Sequence, residues 1–115
     1  MISLPFSTLD IDGGFSEGTG FLTLDGDDLT FQVDVAFMGL FKRKSETVRF
    51  EITDLDEVRH KRSVIGDRIT IRTQPPGLAM EVPGSAAGEL VLKVKKKHRR
   101  DVDALLDKLE LWIVE

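Results

Sequence analysis

Apolar and polar residues alternate with a period of two along most of this chain, as far as residue 96. The stretch LTFQVDVAF is the cleanest example: Leu29, Phe31, Val33, Val35 and Phe37 are all apolar, with Thr, Gln and Asp among the residues between them. Because successive side chains of a strand point to opposite faces, this pattern predicts antiparallel strands with one buried face. The same parity turns inward Val48, Phe50, Ile52, Ile69 and Ile71.

Turn-forming residues separate these runs. The DGDD sequence at residues 25–28 follows GFLTL, and Gly66 with Asp67 separates RHKRSVI from RITIRT; both contain residues that tolerate positive φ. QPPG at residues 74–77 and VPGSAAGE at residues 82–89 are further breaks, because proline cannot donate to a β-ladder. Strands at such short spacing favour a sandwich or a barrel.

The period changes after Arg100. An apolar stripe with spacing i, i+3, i+4, i+7, i+10 and i+11 predicts an amphipathic helix over about residues 98–113. Its members are Val102, Leu105, Leu106, Leu109, Trp112 and Ile113. Asp101 and Asp103 fall in the first turn, where carboxylates suit the positive end of the helix dipole. One C-terminal helix therefore closes an otherwise all-β chain.

The composition is that of one folded domain, with 115 residues of which 41% are hydrophobic and 31% charged. The net charge of -4 disfavours a general nucleic-acid binder but allows a local basic patch. The absence of cysteine excludes disulfides, thiolate zinc sites and cysteine nucleophiles. The start of the chain lacks the features of a secretory signal, and no apolar run approaches the ~20 residues of a membrane helix. We therefore expect a cytoplasmic protein, although a cleaved signal would leave the same sequence.

About seven short antiparallel strands followed by one helix with a tryptophan resemble the pleckstrin-homology-like (PH-like) superfold, in particular its GRAM-type and bacterial branches. The resemblance is carried by GFLTLDGDDLTFQV, VRFEITDLDEVRHK, RITIRT and LVLKVKKKHRRDVDALLDKLELW. It implies a partly open barrel of two near-orthogonal antiparallel sheets, with strands at about 19–96 and the helix plugging one end. Residues 2–11 would add a leading strand to this single domain, residues 1–115.

One departure from that superfold concerns lipid binding. Phosphoinositide-binding members carry lysines and arginines in the first two strands and the loop between them, whereas this chain has Asp25, Gly26, Asp27 and Asp28 there. Carboxylates would repel a phosphorylated head group. We therefore expect the usual lipid site to be absent, which fits a superfold that often hosts protein–protein contacts.

Two segments combine cations in a way that allows binding. The basic corner comprises Lys93, Lys95, Lys96, Lys97, Arg99 and Arg100. It is either a solvated strand end whose lysines protect an edge or a contact for an anion or an acidic protein. The apolar-basic loop, residues 37–44, includes Met38, Leu40, Phe41, Lys42, Arg43 and Lys44. Its rings and cations could touch a membrane or a partner, or Phe37 and Phe41 could instead fill the core.

A third set of cations depends on strand parity. If the strands around residues 49, 59–61 and 68–72 are neighbours, one outer face carries Arg49, Arg59, Lys61, Arg68 and Arg72. Interleaved acids such as Glu51 would make this a solvated face of mixed charge, with ion pairs that each contribute little.

Catalytic patterns are absent from the sequence. His60, in a strand whose Val58 and Val64 share its face, and His98 belong to no paired metal-ligand spacing. There is no GxSxG and no Walker glycine loop, and DIDGG and DGDD do not continue as calcium loops. We expect no enzyme activity, no metal and no cofactor.

The leading hypothesis is therefore a non-enzymatic PH-like binding module for a protein partner or for self-association. The alternative is peripheral binding to anionic membrane lipid through the apolar-basic loop and the basic corner. Nucleic-acid binding is disfavoured, because interleaved exposed aromatic residues are lacking.

Overall fold

The computed structural model describes residues 1–8, 16–37, 43–74, 78–79, 81–82 and 88–114. Seven antiparallel strands form one sheet: β1 Ile2–Thr8, β2 Ser16–Asp25, β3 Asp28–Phe37, β4 Arg43–Glu51, β5 Leu55–Arg62, β6 Gly66–Thr73 and β7 Glu89–Lys95. Helix α1 spans Arg99–Lys108 and lies between the short 3-10 turns Lys96–His98 and Glu110–Trp112. A further 3-10 turn, Ile52–Asp54, joins β4 to β5. The prediction of a mostly β chain with one C-terminal helix is confirmed.

The strand order in the sheet is β4-β3-β2-β1-β7-β6-β5. The predicted leading strand is thus the central strand β1, one of the seven rather than an addition to them. Within the described residues no ladder joins the edge strands β4 and β5, so the sheet is not closed into a barrel.

Among the described residues, the junction between β1 and β7 is shorter than the others. Within them only Ser7–Lys93 and Thr8–Leu92 are paired there, whereas β1 and β2 pair from Ile2 to Ser7. Pro5 stands where β1 would next meet Lys95, and proline has no N–H to donate to a ladder. The first half of β1 and the last residues of β7 consequently form no ladder with each other.

The inner face of the sheet packs against α1. Leu29, Phe31 and Val33 are fully buried, as their alternation predicts, and the Phe31 ring lies 5.2 Å from that of Phe50. Helix α1 adds Val102 and Leu105 to the same cluster of buried residues. The alternate apolar residues of β6 and β7 are also buried: Ile69, Ile71, Leu90, Leu92 and Val94.

The C-terminal helix is shorter than the predicted span of residues 98–113. The Leu109 N–H donates to both the Leu105 and the Leu106 carbonyl at 3.1 Å, which tightens the last turn toward 3-10 geometry. The chain then reaches the edge of β5, where the Val114 N–H donates to the Val58 carbonyl at 2.9 Å. Trp112 therefore lies on a 3-10 turn and is half-buried against the core.

Candidate functional site

A row of three cations crosses the outer face of the sheet, the face opposite α1. Lys61 of β5 pairs with Arg68 of β6, and Arg68 pairs with Lys93 of β7. All three residues are exposed. Because directly opposite residues have Cβ atoms only ~4.5–5.5 Å apart, each neighbouring pair in this row is repulsive. Lys95, two residues beyond Lys93 on the same face of β7, extends the charge. We call Lys61, Arg68, Lys93 and Lys95 the cationic surface.

A second row on the same three strands pairs opposite charges. Arg72 lies opposite both Glu57 and Glu89, and its side chain approaches their carboxylates at 3.9 and 3.2 Å. The acids of this row, Glu57 and Glu89, therefore lie beside Arg72 and away from the row Lys61–Arg68–Lys93. Among the described residues, no carboxylate forms an ion pair with any member of the cationic surface.

Strands β5 and β6 are neighbours, as the prediction for the outer-face cations required, but the strand of Arg49 is not their neighbour. Strand β4, which carries Arg49, lies at the opposite edge of the sheet from β5. Arg49 instead binds Asp28 of the adjacent strand β3 at 2.5 Å.

Two adjoining depressions run over the cationic surface. The first has a volume of about 310 Å³, and its lining includes all four members of that surface together with Ile65 and the acidic residue Asp67. The second, of about 380 Å³, lies beside the unpaired half of β1 and includes Pro5 and Phe21 in its walls. Ser7, Lys93 and Lys95 line both depressions, so the two form one trough with cations at its centre.

The charge along the row Lys61–Arg68–Lys93 changes from positive to negative toward β3. Beyond Lys93 it continues through Ser7, Thr19 and Asp34, and the Asp34 carboxylate accepts a hydrogen bond from the Ser45 hydroxyl. An anion is thus favoured over β5 to β7 and disfavoured over β3.

The Asp67 carboxylate is buried behind the cationic surface, on the inner side of the sheet. This residue was predicted to lie in a turn. Gly66 and Asp67 are the first residues of β6, and the turn is formed by Ser63, Val64 and Ile65. The Asp67 side chain is fully buried. It accepts hydrogen bonds from His60 Nε2 at 2.9 Å, from Arg62 Nη2 at 2.9 Å and from Arg99 Nε at 3.1 Å.

These contacts, which we call the Asp67 cluster, fasten the β5–β6 hairpin to α1. Arg62 also binds Asp103 of the helix at 2.8 Å, and Arg99 donates to the Ser63 carbonyl. The cluster contains two carboxylates and two guanidinium groups, so its charges balance. It positions the hairpin without changing the net charge of the cationic surface.

The cluster also shifts the acidity of its members. Burial by itself would raise the pKa of the Asp67 carboxyl, but hydrogen bonds from Arg62, His60 and Arg99 outweigh it and lower the pKa to about 2, from an ordinary 3.8. The hydrogen bond to Asp67, reinforced by Asp103, raises the pKa of Arg62. Asp67 is therefore ionised at neutral pH.

The tip of the β5–β6 hairpin exposes two large apolar side chains. Val64 is 86% and Ile65 82% exposed. The Ser63 N–H and hydroxyl both donate to the Gly66 carbonyl, at 2.9 and 3.0 Å, so the turn is closed tightly beneath them. The predicted position of Val64 on the strand face of His60 is wrong, because β5 ends at Arg62.

The predicted site residues fall into three groups. Met38, Leu40, Phe41 and Lys42 lie outside the described residues, and Arg43 and Lys44 begin β4, where their backbones pair with Ala36 and Val35. In the basic corner, Lys95, Lys96, Lys97 and Arg100 are exposed, whereas Arg99 is committed to the Asp67 cluster. The part of these residues in binding stays a prediction.

The histidines and acids form no visible reaction centre in the described part of the chain. His60 bonds to Asp67, and among the described residues no hydroxyl is hydrogen-bonded to His60. No group of three or more histidine, aspartate or glutamate residues is placed to hold a metal ion in the ranges described. Nor is any described helix long and apolar enough to cross a membrane.

Comparison with known proteins adds no relative: no protein-family model, no curated protein and no solved structure matches this chain.

Proposed function

We propose that this chain is a non-enzymatic binding module that recognises an acidic segment of a protein partner through the cationic surface. The observation that carries the proposal is the row Lys61–Arg68–Lys93, three cations placed directly opposite one another without intervening acids. Such a row destabilises the isolated sheet, since like charges face each other across adjacent strands. A ligand that brings carboxylates between these cations converts that repulsion into attraction.

The net charge supports a local contact rather than general polyanion binding. The chain as a whole carries a charge of -4, while the cationic surface alone carries four positive charges. An acidic molecule is attracted only when it approaches this face, so charge distribution gives both orientation and selectivity.

A PH-like architecture is part of the proposal. Its support is the strand order, in which β1 to β4 and β5 to β7 are two meanders that meet at the short β1–β7 junction. A second support is that the single C-terminal helix packs against the shared core. In such an architecture the outer faces are free for display, which suits a binding module.

We also propose that this chain does not catalyse a reaction, because of the chemistry of the cationic surface. The four cations offer attraction to an anion, and the Asp67 carboxylate, which also lines the first depression, is already engaged by His60, Arg62 and Arg99. His60, the titratable group nearest in sequence to Lys61, is turned inward and bonded to Asp67.

Fluorescence anisotropy with a labelled oligoglutamate peptide tests the proposal, and an oligoglutamine peptide of equal length is the control ligand. Arg68→Glu should weaken oligoglutamate binding by about tenfold, since one reversal changes the interaction by about 1.4 kcal/mol. Lys108→Glu is the matched control, because it makes the same charge change on an exposed position of α1. Equal losses in the two variants would overturn the proposal.

A second candidate, peripheral binding to an anionic membrane, is favoured by Val64 and Ile65. Apolar side chains that project beside cations can insert among lipid head groups while the cations meet the anionic surface. Sedimentation with phosphatidylserine vesicles at physiological salt tests it, with phosphatidylcholine vesicles as control. The primary proposal expects little sedimentation. Salt-sensitive binding that is lost in a Val64→Ser, Ile65→Ser double variant would establish the membrane function instead.

A further inference from the structure

The trough that holds the cationic surface has an apolar side chain at each end. Ile65, 82% exposed, lines the first depression, and Phe21, 51% exposed, lines the second. Between them lie Ser7, Lys93 and Lys95, which both depressions share. The order across the sheet is therefore apolar, cationic, apolar.

Both apolar side chains at the ends of the trough are carried by backbone that is held in place. Ile65 belongs to the tight turn whose Ser63 bonds to Gly66 and is held to α1 through Arg99. Phe21 sits in the middle of β2, paired with Pro5 on one side and Gln32 on the other. Two rigidly held, exposed apolar groups bind a partner with little loss of their own conformational entropy.

From these observations we infer that the ligand is an extended acidic peptide segment with an apolar side chain on each side of its carboxylates. This inference rests on the proposed binding of an acidic segment at the cationic surface, and it specifies the sequence that is recognised. Carboxylates contact Arg68, Lys93 and Lys95, while the flanking apolar side chains contact Ile65 and Phe21.

Strand spacing sets the smallest separation of the two apolar side chains. The trough crosses from the turn before β6 over β7 and β1 to β2, and paired strands over three such intervals would span about 14 Å at ~4.8 Å each. Because β7 and β1 are unpaired beyond Ser7 and Lys93, the distance is at least that long, and an extended chain with a rise of ~3.3 Å per residue needs four or more positions between the two apolar residues. The residues between them supply the carboxylates.

The test uses two labelled peptides of equal length, one with leucines flanking a run of glutamates at that spacing and one with serines in place of the leucines. The leucine peptide should bind the wild-type protein about tenfold more tightly, because each end buries part of an apolar side chain. The advantage should persist at high salt, while the attraction common to both peptides fades.

Single serine variants then assign each end. Ile65→Ser should abolish the benefit of one leucine and Phe21→Ser that of the other, as a double-mutant cycle with singly substituted peptides measures. Leu111→Ser is the matched control, since Leu111 is 89% exposed but lies after α1, outside the trough. It should leave all affinities unchanged.

The outcomes separate this inference from the proposed function. Equal affinities of the leucine and serine peptides, both weakened by Arg68→Glu, would overturn the inference and leave the function standing. Binding that ignores Arg68→Glu, or no binding by either peptide, would overturn both. Binding to phosphatidylserine vesicles that depends on Ile65, without any preference for the leucine peptide, would identify a membrane as the occupant and reject the peptide.

Discussion

Arg68 lies directly opposite Lys93 in the register of β6 and β7, with both side chains exposed on the outer face. Arg72, four residues along the same strand, instead lies opposite Glu89 and binds it at 3.2 Å. Strand β6 thus carries one arginine, Arg68, opposite like charges and a second, Arg72, opposite unlike charges. This contrast distinguishes the row that we propose binds a ligand from the row at Arg72, whose ion pairs stabilise the sheet.

Replacing these two arginines should have opposite effects on stability. Arg68→Thr should raise the free energy of unfolding by about 0.5 kcal/mol, because it removes repulsion from Lys61 and Lys93. Arg72→Thr should lower it by a similar amount, about 0.5 kcal/mol, because exposed ion pairs contribute little each. Urea denaturation at low salt measures both, and added salt should shrink the difference. A destabilised Arg68→Thr would show that the row is not repulsive and would remove the main support for the binding site.

Removing the charge of Asp67 should weaken the attachment of the β5–β6 hairpin to α1. Asp67→Asn leaves Arg62 and Arg99 without their shared partner, and we expect a loss of roughly 2 to 3 kcal/mol, below the range for fully buried pairs because both arginines keep contact with water. Asp103→Asn is the control, since its side chain is 60% exposed and it binds only Arg62. Thermal denaturation at neutral pH should show the control close to wild type.

The same carboxylate should make stability depend on pH in the acid range. The pKa of Asp67 is about 2 in the folded chain and 3.8 ordinarily, so the unfolded chain takes up its proton first as the pH falls. The contribution of Asp67 is therefore complete above about pH 4 and disappears as the pH falls through about 2. Asp67→Asn should lack this part of the acid dependence. A variant with the same acid dependence as wild type would contradict the assignment.

The apolar residues of the predicted helix stripe should contribute unequally to the free energy of unfolding. Leu105 is fully buried, and Leu105→Ala should lower the free energy of unfolding by roughly 2 to 5 kcal/mol. Trp112 is only half-buried on the 3-10 turn after α1, so Trp112→Ala should lower it by less, about 1 to 3 kcal/mol. Parallel thermal melts test the order of the two. The reverse order would mean that the Glu110–Trp112 turn, rather than α1, anchors the sheet.

Gly66 should tolerate no side chain. A Cβ atom at this position would lie 2.3 Å from the Val94 carbonyl oxygen, too close for backbone atoms to coexist. Gly66→Ala should therefore push β6 from β7 and destabilise the protein by about 1 to 3 kcal/mol. Gly26→Ala is a useful comparison: no atom lies within 4 Å of its Cβ, and only its φ of +60° opposes the change. A harmless Gly66→Ala would contradict the close contact of β6 with β7.

Part of the candidate site was readable from strand parity. The solvent-facing positions of Lys93 and Lys95 and the shared outer face of Lys61 and Arg68 follow from alternation alone. Asp67 has the same parity as the buried residues Ile69 and Ile71, so alternation also predicts an inward side chain for it. The prediction of a turn was preferred there, because glycine and aspartate both favour turns.

The sequence could not say which strands are neighbours. Arg49 and Arg68 have the same parity signature, yet β4 and β6 lie far apart in the strand order and only Arg68 joins a cationic row. Cross-strand register decides whether a charge meets a like or an opposite charge, and register depends on pairing between distant parts of the chain. The trough depends on such pairing, and the Asp67 cluster depends on the contact of β6 with the remote Arg99 of α1.

For the chain as a whole, alternation determined the strands and their buried faces, and the change of period near Arg100 determined the helix, because both patterns reflect local geometry. Tertiary structure alone placed β1 at the centre of the sheet, joined Val114 to the edge of β5 and brought Asp67 to Arg99. These features arise from contacts between residues remote in sequence, in which burial and hydrogen bonding override local preference.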